Sequence, residues 1–312
     1  MRVGIVGAGA LGSLVGGLLS HAGVDVVLLR RDEEHIEHVK ANGLKLEGMS
    51  GDKHIRPAIV NDPSEVEKVD LAVVLVKAYD TQAAVPAVAT ILGENGAVLT
   101  LQNGVGNYEI LEEAFPGRVL LGTTTNGALA LGRGEVRHTG IGQTHFGEAH
   151  GRESDRTRAI AEMLAKLDFG PVHVVDNAMG SVWSKLVINA AINAPGTILR
   201  VRNGGLVESD AGRELIHQIV EECLAVVKAR GIKLIFDDPE AQVVAVCGAT
   251  ATNLNSMFQD IRLGRKTEID FINGAVAREA EAVGVPAPTN RTLALIIEAM
   301  EATADQRVPD SD

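Results

Sequence analysis

The first twelve residues, MRVGIVGAGALG, carry a short apolar stretch straight into Gly7-Ala8-Gly9-Ala10-Leu11-Gly12 and on into an apolar helical segment over residues 11–22. No other feature limits the possible folds of this chain as tightly. In the spacing Gly-x-Gly-x-x-Gly, the first glycine permits a sharp turn off a strand. The second leaves room for backbone to approach a pyrophosphate, and the third lets the helix lie close on the sheet. The helix N-terminus then faces the phosphates. Alone the pattern is weak, because a chain with 34 glycines can produce it by chance. Context gives it weight: Gly23 stops the helix, and residues 24–29 (VDVVLL) make a second strand that completes a βαβ unit. The bland alternative is a glycine turn that binds nothing.

Strands and helices go on alternating after this unit. Residues 70–76 form an apolar strand suited to a parallel sheet covered on both faces, residues 97–101 and 119–123 add two more, and residues 134–147 read as strands separated by glycine turns. From about Asn177 the pattern changes to long amphipathic stretches over residues 183–194, 208–230, 239–259, 268–283 and 289–304. The expected fold is α/β: an N-terminal Rossmann domain with a doubly wound sheet over residues 1–176, then an all-α C-terminal domain over residues 177–312. Residues 305–312 are polar enough to be a frayed tail.

At 312 residues with 46% hydrophobic content, each domain can bury a core of its own. A net charge of -12 with 3% aromatics excludes a nucleic-acid surface, which needs basic patches and stacking side chains. Any anionic ligand must therefore be held by local cations. No apolar stretch approaches the ~20 residues of a bilayer span, and the N-terminus reads as a core strand, not a signal peptide. Cys223 and Cys247 lie in apolar helical stretches outside any Cys-x-x-Cys or zinc-type spacing, so they read as buried, unpaired thiols of a cytoplasmic protein. His35 and His38, among Glu33, Glu34 and Glu37, read as a solvated helix face, and no metal site is expected.

In open α/β sheets ligands bind beyond the carboxyl ends of the strands. There the chain carries Arg30-Arg31, Lys77, Gln102-Asn103 and Thr124-Thr125-Asn126. Two arginines at the end of the second strand, where an NAD-specific fold carries an acidic residue, favour NADP, whose 2′-phosphate matches a guanidinium fork. Asp32 follows at once and keeps NAD open. Lys77 could meet a phosphate or a substrate carboxylate, or could simply snorkel at the sheet edge. Asn103 could bond a nicotinamide or its ribose, or form no more than an Asn-Gly turn.

In the helical half, Lys185, Asn189 and Asn193 stand at i, i+4 and i+8 on a helix that is otherwise mostly apolar. Buried polar groups without partners would cost about 1 to 3 kcal/mol each, so a polar cleft explains the stripe better than a solvated face, which would be richer in charge. Further on, Ser256 precedes Met257-Phe258-Gln259. Thr267-Glu268-Ile269-Asp270 looks like a capping-box start to the next helix, with Glu268 a first-turn carboxylate.

Taken together, the segments Gly7 to Gly12, Val76-Lys77-Ala78-Tyr79, Gln102-Asn103-Gly104-Val105-Gly106, Trp183-Ser184-Lys185-Leu186 through Asn203-Gly204, and Ser256-Met257-Phe258-Gln259-Asp260 through Glu268-Ile269-Asp270-Phe271-Ile272-Asn273-Gly274 resemble the ketopantoate reductase (2-dehydropantoate 2-reductase) family along essentially the whole chain. The one mild departure is Gln102, where some members carry histidine. The resemblance implies a Rossmann domain followed by a helical domain like that of 6-phosphogluconate dehydrogenases, with the active site between them. It implies NADPH-dependent reduction of 2-dehydropantoate to (R)-pantoate in pantothenate biosynthesis. Gly7, Ala8, Gly9, Ala10, Leu11, Gly12, Arg31, Lys77, Asn103, Ala128 and Glu268 would contact NADP. Lys185 would be the proton donor, with Glu268 beside it, and Lys185, Asn189, Asn193, Asn203 and Ser256 would bind substrate.

A lysine with an ordinary pKa near about 10.4 already serves as a cationic acid at neutral pH, so the chemistry demands no large shift. Two rivals stay open: a paralogous reductase acting on another 2-oxo acid, and a non-catalytic NADP(H)-binding redox sensor, which leaves the Lys185, Asn189, Asn193 face unexplained. The apolar faces of the helical half suit a homodimer.

Overall fold

Strand β1 (Arg2–Val6) is buried from Val3 onward, which is what its unbroken apolar run requires of a strand inside a sheet. In the computed structural model, which describes residues 1–306, its neighbours on both sides run parallel to it. The expected tail at residues 305–312 lies, from residue 307 on, outside the described residues. After β1 come α1 (Ala10–His21), β2 (Asp25–Leu29), α2 (Glu33–Asn42), β3 (Leu44–Gly48), β4 (Lys53–Ile55), β5 (Ala58–Val60) and β6 (Val69–Val74). The chain continues through α3 (Thr81–Ile91), β7 (Leu92–Thr100), α4 (Asn107–Ala114), β8 (Val119–Thr124), β9 (Gly127–Gly132), β10 (Glu135–Gly140), β11 (Thr144–Glu148), α5 (Asp155–Leu164) and β12 (Val172–Val174). Six helices follow: α6 (Ala178–Ile198), α7 (Asp210–Ala229), α8 (Pro239–Ala249), α9 (Ser256–Arg262), α10 (Asn273–Val283) and α11 (Pro288–Ala302).

Contacts divide the described residues into two units, one of residues 1–102 and 107–181, the other of residues 103–106 and 182–306. The short loop Asn103–Gly106 thus belongs by its contacts with the helices, although its chain neighbours belong with the sheet. The first unit holds an eight-stranded sheet in the order β12-β11-β8-β7-β6-β1-β2-β5. It is parallel throughout except where β11 runs against β8. Strand order reverses between β1 and β6, so the loops after these two strands flank the crevice where a doubly wound sheet binds its ligand.

The same unit contains a second sheet, β4-β3-β10-β9, of which the sequence pattern announces only β10, within the strands read at residues 134–147. Helix α1 packs against both sheets, which accounts for its Gly16-Gly17 pair. A Cβ on Gly16 would strike Leu28 of the large sheet at 2.2 Å, and one on Gly17 would press on Leu44 and Leu46 of the small sheet at 3.0 Å.

The second unit is helical, built around contacts of α7 with α8, α10 and α11. A buried polar chain ties it together. Glu222 of α7 accepts from the backbone N–H groups of Thr289 and Asn290 at the start of α11. Asn290 also donates from its side chain to Glu222 and accepts from Asn273, which donates in turn to the Ala190 carbonyl of α6.

Three local expectations are corrected. The stretch at residues 239–259 is two helices, because Asn255 caps a new start: its Oδ1 accepts from the Phe258 N–H at 2.9 Å. Thr267 does not open an α-helix with a capping box; its hydroxyl accepts from the Ile269 N–H, and a 3-10 turn, Ile269–Phe271, precedes α10. His35 is buried, not solvated, and burial pushes its pKa down to about 4. Cys223 and Cys247 are both free and buried, as expected. Among the described residues no helix is long and apolar enough to cross a membrane.

Candidate active site

At the end of β1 the backbone turns at Gly7 with φ +103°, a conformation that L side chains rarely adopt. Space is short there as well, since a Cβ would lie 2.4 Å from the Val76 nitrogen of the loop after β6. Gly12 is equally confined, for a Cβ would sit 2.2 Å from the Gly7 carbonyl oxygen. Gly9 differs. A Cβ there would meet nothing within 4 Å, and as the N-cap of α1 it offers no side-chain acceptor to the helix. Between two glycines locked in place by the protein stands a third facing open space at an uncapped helix N-terminus, with Ala10 and Leu11 starting that helix. This is the shape of an anion cradle, so the residues present fit a dinucleotide pyrophosphate.

The two arginines after β2 play different parts. Arg30 donates to the Ala8 carbonyl at 2.5 Å and to Asp32 Oδ2 at 3.2 Å, bracing the glycine loop from behind. Asp32 is committed on both oxygens: Oδ1 caps α2 through the His35 N–H at 3.1 Å and Oδ2 takes Arg30, an arrangement that holds its carboxyl below the usual range. Arg31 is exposed, and its guanidinium meets Asp80 Oδ2 at 2.7 Å. Lys77 precedes the 3-10 turn Ala78–Asp80 in the loop after β6. Ala128 lies in β9 opposite His138, part of the small sheet that α1 packs against. Asn126 is a structural residue. It accepts from the Gly142 N–H and donates to Thr124, pinning the crossing from β8 to β9. Gln102 is structural too, donating to the Val76 carbonyl and to Thr81 from a buried position.

Within the helical unit, three predicted residues come together. The Lys185 ammonium donates to Asn103 Oδ1 at 2.8 Å, and Asn103 donates from Nδ2 to Glu268 Oε2 at 3.2 Å. Asn103 thus bridges cation and carboxylate, its amide donating at one end and accepting at the other. The loop bearing it is held a second time by the Val105 N–H donating to the Phe271 carbonyl. Burial lowers the Lys185 pKa to about 8, and the negative charge of Glu268 opposes that fall. The chemistry demands no such shift, and with it the ammonium is a stronger acid than an exposed lysine.

Asn189 and Asn193 follow one and two turns further along α6, Asn189 partly exposed and Asn193 buried. Asn203 opens the turn Asn203–Val207, its Nδ2 donating to Thr250 Oγ1 at 2.9 Å while its buried Oδ1 has no partner. Ser256 is the exposed first residue of α9. The loop between α8 and α9 links these positions, because it accepts the Asn203 N–H on the Asn253 carbonyl and ends at Asn255. Asn255 accepts from the Thr197 hydroxyl, which also donates to the Asn193 carbonyl.

Two residues in contact with predicted positions are absent from the sequence-based expectations: in the helical unit Asn255, signalled by an amide just before Ser256 in N-cap position, and in the sheet unit Asp80 beside Arg31, for which no sequence signal exists. Among the described residues no group of three or more His, Cys, Asp or Glu is placed to hold a metal ion.

The chain matches two family profiles, ketopantoate reductase PanE/ApbA over residues 3–151 and the ketopantoate reductase PanE/ApbA C-terminal domain over residues 177–301. It is 37% identical to the 2-dehydropantoate 2-reductase of Halobacterium salinarum, over 95% of this chain and 98% of that protein. The Pyrococcus abyssi 2-dehydropantoate 2-reductase is likewise 37% identical, over 97% and 98%. Among solved structures, a PanE/ApbA family ketopantoate reductase from Ralstonia eutropha superposes with a TM-score of 0.90 at 33% identity, covering 98% of this chain and all of that one. A D-mandelate dehydrogenase in ternary complex with NADH and anilino(oxo)acetate also reaches a TM-score of 0.90, at 29% identity over 98% of this chain and 100% of that one.

Proposed function

Because the chain belongs to the ketopantoate reductase PanE/ApbA family of NAD(P)-dependent oxidoreductases, we propose that it is a cytoplasmic enzyme reducing 2-dehydropantoate to (R)-pantoate with NADPH, and that Lys185 is its proton donor. The observation that carries this reading is the hydrogen-bonded chain Lys185–Asn103–Glu268.

When bound, NADPH supplies the hydride for carbon 2 of the 2-oxo acid. The protein must answer the negative charge that develops on the carbonyl oxygen. An ammonium has three N–H groups; Lys185 donates one to Asn103 and can direct another to a substrate carbonyl. As the oxygen becomes an alkoxide, the proton at Nζ passes to it, leaving a neutral amine that solvent reprotonates. A pKa near 8 suits both the electrostatic and the proton-donating parts of this role. The group is about nine-tenths charged at neutral pH yet gives up its proton more readily than an exposed lysine. Glu268 keeps the charged form favoured in a buried setting, and Asn103 transmits that influence while fixing the direction of Nζ. Asn189, Asn193, Asn203 and Ser256 supply amide and hydroxyl groups for the substrate's carboxylate and distal hydroxyl. The unpartnered Asn203 Oδ1 fits an acceptor for that hydroxyl.

For the nucleotide, Gly7 to Gly12 and the α1 N-terminus take the pyrophosphate, with Lys77, Asn103, Ala128 and Glu268 contributing along its length. The preference for NADP over NAD rests on the division of labour after β2. Asp32, the residue that would accept a ribose 2′-hydroxyl, is occupied by its cap and by Arg30, whereas Arg31 reaches solvent. A second reading, reduction of another 2-oxo acid, is favoured by the likeness to the mandelate dehydrogenase. Initial rates of NADPH oxidation with 2-dehydropantoate against a panel of branched and aromatic 2-oxo acids separate the two. The proposal expects the highest kcat/KM for 2-dehydropantoate, and a higher value for an aromatic acid contradicts it.

A further inference from the structure

We propose that Asp80 sets how strongly this protein prefers a 2′-phosphorylated nucleotide, by holding Arg31 in an ion pair for which the 2′-phosphate must compete. The proposal rests on the NADP reading above and goes beyond it, since a free arginine and a masked one predict different selectivity.

Arg30 is built into the back of the glycine loop, so Arg31 is the cation of the pair that extends to solvent, with three-quarters of its side chain exposed. Its guanidinium lies 2.7 Å from Asp80 Oδ2, across 49 residues of chain. Asp80 occupies the N-cap position of α3, where an aspartate ordinarily accepts from the N–H groups of the first turn, yet it makes no capping hydrogen bond. Its carboxylate is turned to Arg31 instead. Asp80 lies in the turn that follows Lys77 after β6, one of the two strands at the switch point, and Arg31 lies in the loop after β2, the strand next to β1.

A phosphate binds best to a guanidinium whose fork is open, and here one Nη is engaged by a carboxylate that the incoming dianion must displace. A nucleotide carrying only a 2′-hydroxyl meets a neutralised pair and is penalised by neither charge. Asp80 therefore lowers discrimination against NAD and leaves the glycine cradle untouched.

The test is isothermal titration of the full-length protein with NADP⁺ and with NAD⁺, for the wild type, Asp80→Asn, Arg31→Ala and the double variant. Asp80→Asn keeps the side-chain shape, and Asp80→Ser serves as a second probe of the same direction. Opening an exposed ion pair should tighten NADP⁺ about fivefold, with NAD⁺ changed less than about twofold. In the Arg31→Ala background the Asp80 substitution should change neither. Unchanged or weaker NADP⁺ binding by Asp80→Asn overturns the proposal, and so does equal tightening with or without Arg31, because the carboxylate would then act on the phosphate directly. If Arg31→Ala itself leaves NADP⁺ affinity intact, the NADP reading fails first and the proposal falls with it.

Discussion

Replacing Glu268 by Gln removes one charge from the Lys185–Asn103–Glu268 chain but keeps an acceptor for Asn103. Asn103 links ammonium and carboxylate through contacts of 2.8 and 3.2 Å. Unit charges roughly 7 Å apart at an effective dielectric of about 20 attract by about 2.4 kcal/mol. Losing that attraction should carry the Lys185 pKa from about 8 to roughly 6.2. The sign follows from which form works: the reduction needs the protonated amine, so activity is full below the pKa and lost above it.

At pH about 7.5 the charged fraction then falls from about three-quarters to about a twentieth, whereas near pH 6 it falls only from nearly all to about three-fifths. The assay is kcat/KM for 2-dehydropantoate with NADPH as a function of pH, which reports the free enzyme. Wild type should lose activity above a midpoint of about 8 and Glu268→Gln above a midpoint of about 6.2, with much of the loss recovered in acid. A variant whose activity drops by the same factor at every pH, its midpoint unmoved, would refute the idea that the carboxylate acts through the lysine's charge.

The glycine loop separates binding from folding. Gly9→Ala should leave the melting temperature nearly unchanged, because its Cβ meets nothing within 4 Å, yet weaken NADP(H) by about tenfold or more, read by titration. Gly12→Ala should instead destabilise the fold by about 1 to 3 kcal/mol, seen as a lower denaturation midpoint, because its Cβ would lie 2.2 Å from the Gly7 carbonyl oxygen. In the helical unit, Asn273→Ala deletes donors to the Ala190 carbonyl and to Asn290 and leaves both buried acceptors short. Urea denaturation should register a loss of about 2 to 4 kcal/mol.

Legibility in the sequence follows the strength of local patterns. The glycine loop and the strands at residues 70–76, 97–101 and 119–123 stand out because parallel strands covered on both faces must be apolar along their length. The small sheet has no such mark: β4 is KHI, β9 is GALALG, and β10 alternates charge with a single deeply buried valine, Val136. Its pairing depends on partners up to 90 residues apart, such as Lys45 with Glu135, which no window of sequence reveals.

His35 looks solvated in the sequence because the surrounding glutamates outweigh the inner face it shares with Ile36 and Val39. In the site, the spacing of Lys185, Asn189 and Asn193 gives the stripe away, since helical periodicity is local. Asn103 bridging Lys185 and Glu268, the depressed lysine pKa and the Asp80 contact with Arg31 all depend on three-dimensional neighbours, and spacing carries no trace of them.

The central claim is that the ammonium of Lys185 delivers the proton that completes the reduction. Measuring kcat together with the NADPH dissociation constant of Lys185→Ala tests it most directly. The account predicts a kcat lower by about 10² to 10⁴ with NADPH affinity preserved within a few-fold. Turnover close to that of the wild type, with the same affinity, would contradict it.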